Sequence, residues 1–318
     1  MTTNRRSFLR KNLFVTSSLL LTGTLDSVAR TVRKINTVAA NQSQVNITYT
    51  NDLKGKLATV FQDCGGLKQL HSDLSSHDIS SLVFDAGGFL NPVQDAGGQL
   101  KAIDLMNKIN YHAVNLSAAD LVQGVDHFVS VLPYMQFQLV SCNYVFESSA
   151  LKKAVKPYQI ITYGKFKVGV TGVGEPANIS GVQVKNPFTA LTQTVRILRE
   201  KHQCDIIVCL AHLGFDKKSE VNNQAIAEQS QGVDLFIGGN AQQSKSRLWV
   251  LRNKSKSEVL LTNNFDGGLS SGRVSLDFSQ QKERMGIDLK TNVPGAINRD
   301  HQHQVLALLS SSKNQFNT

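Results

Sequence analysis

The 318-residue chain carries 41% apolar and 18% charged residues, the balance of a soluble globular protein with room for a sizeable core. Its net charge of +10 would ordinarily point to nucleic acid or an anionic membrane, but seven basic residues and a single acid, Asp26, precede residue 41. The remainder carries +4, too little for a dedicated polyanion-binding surface, so no nucleic-acid partner is expected.

The front segment reads as an address. "NRRSFLRK" sets Arg5 beside Arg6, with Phe8 and Leu9 after one spacer, and the weakly apolar "LFVTSSLLLTGTL" follows. Small residues in "SVA" and "VAA" offer a cleavage site, completing the layout of a twin-arginine export signal. Thr and Ser break the apolar run, which falls short of the ~20 residues a membrane span needs. The expectation is export to the periplasm or envelope of a bacterium, with no stable membrane span after signal removal. Cys64, Cys142, Cys204 and Cys209 match neither a CxxC metal pair nor a dense disulfide framework, and no disulfide is expected.

From residue 45 onward, strand-like and helix-like patterns alternate, which predicts α/β layering. Strands are predicted at 45–50, 81–84, 112–116, 138–141, 166–171, 205–210, 235–237, 259–262 and 273–278. Between them, Leu67, Leu70 and Leu74 share a helical stripe, as do Ile103, Met106 and Ile109, and then Leu191, Val195 and Leu198. "YQIITYGKFKVGVTGV" places two strand-like runs around Gly164 and Lys165, a hairpin. Beyond Phe278 the pattern weakens, and "DHQHQVLALLSSS" reads as a terminal helix outside the main fold, its His301 and His303 solvated.

Five of these strands end in polar or glycine clusters: "TNDLKG" (50–55), "DAGGF" (85–89), "SAADLVQG" (117–124), "AHLG" (211–214) and "IGGNAQQ" (237–243). Each alone is an ordinary turn. In open α/β sheets, however, ligands bind at the carboxyl ends of strands, so five in succession predict one shared site. Asp85 is expected to cap its own turn.

In order, the clusters resemble the motif series of the calcineurin-like metallophosphoesterases, most closely their 5′-nucleotidase branch. There the motifs read TND-x-HG, a Gly-Asp pair, GNHEFD-x-G, SHLG and GGHSH. "CGGLKQL", "VSCNYV" and "GGLSSGRVSLDF" add to the similarity, which covers roughly residues 45 to 278. The resemblance implies a four-layer α-β-β-α sandwich with two mixed sheets. It divides the chain into a signal and flank (1–40), a metallophosphoesterase-like domain (41–280) and a C-terminal extension with a terminal helix (281–318). The separate C-terminal domain of full-length 5′-nucleotidases has no counterpart here, so a separately encoded protein supplying it is one expected partner.

The family's chemistry rests on two divalent metals about 3.5–4 Å apart that clamp phosphate oxygens and generate hydroxide. Carried over residue by residue, that site is mostly gone. Asp52 remains, but its companion ligand His is Lys54, and the bridging Asp is Gly88. Ala118 and Ala119 stand where the resemblance places the ligand Asn and the transition-state-stabilising His, with Asp120 in the Glu position. His212 remains, while the last two histidines are Asn240 and Gln242. Asp52 and His212 are thus the residual metal-binding positions, and no cofactor is expected. The resemblance combined with this loss predicts a pseudoenzyme acting as a binding or assembly partner. The alternatives are a weak, single-metal phosphomonoesterase or 5′-nucleotidase, and a periplasmic protein binding phosphate or nucleotides. The pocket is expected to be lined by Asp52, Lys54, Asp120, His212, Asn240 and Gln242, with Lys54 paired to Asp52 in place of a metal's charge and a small phosphate-containing ligand as the candidate occupant.

Overall fold

Successive side chains of a strand point to opposite faces, and in the central strands both faces are covered. The structure, a computed structural model, describes residues 43–76, 80–240 and 247–311. The export signal with Arg5 and Arg6 lies outside the described residues, as does Gln242.

In chain order the strands are β1 (Gln44–Thr50), β2 (Leu82–Asp85), β3 (Ala113–Asn115), β4 (Gln138–Val140), β5 (Tyr144–Phe146), β6 (Val155–Lys156), β7 (Tyr158–Tyr163) and β8 (Phe166–Gly174). They continue as β9 (Val182–Val184), β10 (Ile206–His212), β11 (Leu235–Gly238), β12 (Arg247–Arg252), β13 (Glu258–Asn263), β14 (Ser271–Phe278) and β15 (Arg284–Asn292). The helices are α1 (Gly66–Ser76), α2 (Ala96–Ile109), α3 (Val125–Val131), α4 (Ser149–Ala154), α5 (Pro187–Arg196), α6 (Asn223–Gln229) and α7 (Arg299–Ser311).

Two mixed sheets form. One has seven strands in the order β15-β14-β1-β2-β3-β4-β6, the other six in the order β12-β13-β11-β10-β8-β7. In the first, β1 runs parallel to β2 and antiparallel to β14. In the second, β8, β10, β11 and β13 are parallel, flanked by the antiparallel β7 and β12. The hairpin around Gly164 is the β7–β8 pair.

Between the sheets lies one core, to which β1 gives Val45, Ile47 and Tyr49, β8 gives Val168 and Val170, and β10 gives Val208 and Leu210. Outside the seven-stranded sheet, Leu67 and Leu70 of α1, Ile103 and Met106 of α2 and Phe128 of α3 build a second core. The opposite side of β10, with Ile207, Cys209 and Ala211, packs on Leu191 and Val195 of α5 and Ile226 of α6. These three cores separate four layers, α-β-β-α. Buried polar side chains tie the sheets at their carboxyl ends. Asn115 donates to Ala86 O (3.0 Å) in its own sheet and Val173 O (2.9 Å) in the other. A β-carbon at Gly172 would lie 2.2 Å from Asn115 Oδ1, so this bridge requires glycine there.

Two regions differ from expectation. After Phe278 the larger sheet continues: β15 pairs with β14 along its length, so the division drawn after residue 280 is not a break in the sheet. In this edge strand Ile287 and Leu289 pack on the core while Asp288 and Lys290 face water, but the exposed Met285 and the glycine at 286 blur the alternation at its start. The terminal helix also belongs to the fold, because Val305 and Leu309 of α7 pack against Cys64, Phe265 and Leu269. All four cysteines are free thiols, Cys64, Cys204 and Cys209 being buried.

Candidate functional site

The carboxyl ends of β1, β2 and β3 in one sheet meet those of β8, β10 and β11 in the other. Just after β1 the backbone leaves strand geometry: Asp52 and Lys54 both take left-handed conformations, with φ of 51° and 50°. The 52–55 loop is laced to the loop after β2, with Asp52 N–H donating to Gly87 O (2.9 Å) and Lys54 N–H to Gly88 O (2.8 Å). Gly267 N–H donates to Asp52 O (2.7 Å), which closes the loop from a third side. Left-handed backbone at two non-glycine residues costs roughly 1 kcal/mol or more each and is held by this lacing.

The loop delivers the Asp52 carboxylate to His212, the last residue of β10. His212 Nε2 lies 2.9 Å from Asp52 Oδ1, and His212 Nδ1 lies 3.1 Å from Glu175 Oε2, just past β8. Asp52 Oδ2 accepts Asn51 Nδ2 (2.9 Å) and Asn240 N–H (2.8 Å). Burial by itself would drive His212 towards neutrality, but Asp52 and then Glu175 outweigh it and hold the imidazole protonated well above its usual range. Burial would likewise raise Asp52, yet the imidazolium and its hydrogen bond, with Asn51, hold the carboxyl below the usual range. The result is a buried imidazolium between two carboxylates.

Glycines shape the space around the ring. A β-carbon at Gly88 would sit 2.8 Å from His212 Nε2 and 2.9 Å from Asp52 Oδ1, and one at Gly239 would sit 2.7 Å from His212 Cδ2. Gly88 also has φ +70°, where any side chain adds strain. The position that resembles the family's bridging carboxylate is therefore filled by the Asp52–His212 contact itself.

The other anticipated residues separate. Lys54 does not pair with Asp52. Its Nζ donates to Asp266 Oδ2 (2.6 Å), and both side chains are more than a third exposed. The expected Lys54–Asp52 pair is thus corrected: the partner of Asp52 is His212, because the left-handed turn sends the Asp52 and Lys54 side chains apart. Asp120 is buried but turned away from the ion pair, accepting Ser117 N–H and Oγ and the N–H groups of Gly88 and Leu90. Burial raises its carboxyl above the usual range. Ala118 and Ala119 lie with it in a short 3-10 helix, Ala118–Leu121. Asn240 contributes its backbone N–H to Asp52.

Asp85, wholly buried, accepts Thr50 Oγ1 (2.6 Å) and caps its own turn through Gly87 N–H (2.9 Å). Burial pushes its carboxyl up to about 7. Sequence reasoning missed Glu175 and Asp266. The signal for Glu175 was a lone charge in "GVGEP", at the end of a nearly all-buried strand and level with the other clusters.

No family model matches the sequence. Among curated proteins, the 5′-nucleotidase of Vibrio cholerae serotype O1 is 23% identical over 198 residues, 56% of this chain and 35% of that protein. Protein UshA of Yersinia enterocolitica is 26% identical over 187 residues, 51% of this chain and 32% of its own. Among solved structures, the 5′-nucleotidase precursor from Thermus thermophilus superposes with a TM-score of 0.68 at 20% identity, covering 84% of this chain and 58% of that one. The calcineurin-like phosphoesterase YfkN from Bacillus subtilis does so with a TM-score of 0.61 at 17% identity, over 84% and 98%. The fold is that of the calcineurin-like metallophosphoesterases, in its 5′-nucleotidase form. The chain spans about a third of the length of the curated relatives it matches.

A dinuclear metal centre does not fit the residues of this phosphoesterase-fold site. Both His212 nitrogens are taken up by carboxylates, Nε2 by Asp52 and Nδ1 by Glu175, so neither is directed at an open coordination position. Among the described residues no group of three or more His, Cys, Asp or Glu side chains is placed to hold an ion. Glycine at position 88 removes the carboxylate that would link two ions.

Proposed function

We propose that this chain is an exported, non-hydrolytic relative of the 5′-nucleotidases that works as a binding or assembly partner in the bacterial envelope. The observation that carries the reading is the His212 imidazolium held between Asp52 and Glu175 where the strand ends converge. In this arrangement Asp52 is paired with His212, whereas phosphate-ester hydrolysis by this fold needs an open Lewis acid and a hydroxide. The adjacent Arg5 and Arg6 support export, and among the described residues no helix is long and apolar enough to cross a membrane.

Metal analysis of the purified chain, together with turnover of AMP and of a chromogenic phosphate ester with manganese or zinc added, tests the reading. The expected result is substoichiometric metal and no turnover above buffer. Stoichiometric metal, or turnover that disappears in both Asp52→Ala and His212→Ala, overturns it. Recovery of the chain from cell envelopes in a stable complex is the expected result for the partner role.

A further inference from the structure

Beside the ion pair, a cleft of about 490 Å³ opens between the 3-10 helix Ala118–Leu121 and the segment that follows β8. Its volume is that of an ordinary small-molecule site. Ala118 and Ala119 form the floor of one wall, with Val122, itself 67% exposed, at the rim. Ile179 faces them from the other wall, and Glu175, Asn178 and Ser180 supply the polar groups. Among the described residues no lysine or arginine lines it.

The charge balance is one-sided. Asp52, His212 and Glu175 together carry one positive and two negative charges, and Glu175 is the member that reaches the cleft. The donors on the cleft wall are neutral, the Asn178 amide and the Ser180 hydroxyl, and several nearby backbone donors are engaged. Ala118 N–H serves the Tyr144 hydroxyl, while the Ser117 and Gly88 N–H groups serve Asp120. A phosphate here would meet the Glu175 carboxylate with only the neutral donors of Asn178 and Ser180 and no facing cation, which is unfavourable for an anion. An ammonium on an apolar body meets the opposite: a carboxylate beside small apolar side chains.

We infer that this cleft binds a small organic cation, a primary amine on an aromatic or aliphatic body, with Glu175 as counter-ion and the Ala118–Val122 wall against the apolar part. This deepens the non-hydrolytic reading and rests on it. It replaces the phosphate-containing ligand expected from sequence by a ligand of opposite charge.

The test is thermal unfolding and titration calorimetry of the purified full chain with tryptamine, indole-3-acetate, AMP and inorganic phosphate. Tryptamine is expected to bind saturably and raise the unfolding midpoint by about 2–4 °C, while the three anions leave it unchanged. Glu175→Gln is expected to weaken tryptamine at least about tenfold, the loss of one charge-assisted hydrogen bond. Ala119→Leu, at a half-buried position, is expected to abolish binding by filling the cleft. Absence of tryptamine binding overturns the inference, as does full-strength binding to both variants, or saturable AMP or phosphate binding that Ala119→Leu removes. Metal and AMP turnover would instead break the non-hydrolytic reading, so the two failures are distinguishable.

Discussion

Two ion pairs start from the same turn, two residues apart, and they teach opposite lessons. Asp52 reaches inward to His212, with both side chains under a tenth exposed. Lys54 reaches outward to Asp266, with side chains half and more than a third exposed. The inward pair is held by Asn51, Asn240 and Glu175, so removing one member strands a buried charge. The outward pair is screened by water and replaceable by it. Sequence spacing puts the acid and the lysine on equal footing; burial decides which of them organises the site.

The sharpest way to break this comparison is His212→Ala, which strands the buried Asp52 carboxylate beside Glu175. Urea denaturation is expected to show a loss of about 3–5 kcal/mol, the cost of orphaning a buried charge. A loss under about 1 kcal/mol would mean the pair is not the keystone of the strand ends.

The pH profile adds a second strong effect. Asp85 has a folded value of about 7 against an ordinary 3.8, so the native state holds its proton more tightly than the unfolded chain. Stability is therefore lost as pH rises from about 4 through 7, by roughly 4 kcal/mol at 1.36 kcal/mol per unit. Asp85→Asn is expected to flatten that limb in denaturation curves collected between pH 4 and 8. His212, raised above 6.5, contributes stability that is complete below 6.5 and is lost as pH climbs through its folded value. Asp52, lowered below 3.8, contributes stability that is complete above 3.8 and is lost on acidification through its folded value. An increase in stability between pH 5 and 8 would contradict the Asp85 assignment.

A smaller effect is expected from restoring the carboxylate with Gly88→Asp. The new side chain must fit a left-handed backbone with its β-carbon under 3 Å from His212 Nε2, so destabilisation of about 1–3 kcal/mol should follow, with no gain of bound metal. Metal analysis showing two ions per chain would reverse the view that the ion pair has replaced the centre. The smallest effect belongs to the outward pair: Lys54→Ala should change stability by no more than about 1 kcal/mol. If it costs as much as His212→Ala, the distinction between the two pairs collapses.

Much of the fold was legible because apolar residues alternate over 45–50 and 166–171 and run unbroken over 206–210, as a strand buried on both faces requires. β5 and β9 were not, since three residues are too few to establish a period. β12 escaped because "RLWVLR" on an edge has no clean alternation. At the site, the five clusters and the persistence of Asp52 and His212 were readable. The partner of Lys54 was not. Reading Asp52 and Lys54 as neighbours on one strand face assumes extended backbone, and both residues are left-handed. Glu175 and Asp266 come to the site from 123 and 214 residues beyond Asp52, a distance over which local pattern says nothing.

By itself, the sequence determined the layered α/β plan, the convergence of strand ends on one edge and which side chains stand there. Those follow from periodicity and side-chain chemistry, which each residue carries with it. Only the tertiary structure decided that Asp52 pairs with His212, that Lys54 faces water and that Glu175 joins the buried histidine to the neighbouring cleft. Charge state and pairing depend on burial and on distances between strands far apart in the chain, and these exist only once the two sheets have closed on each other.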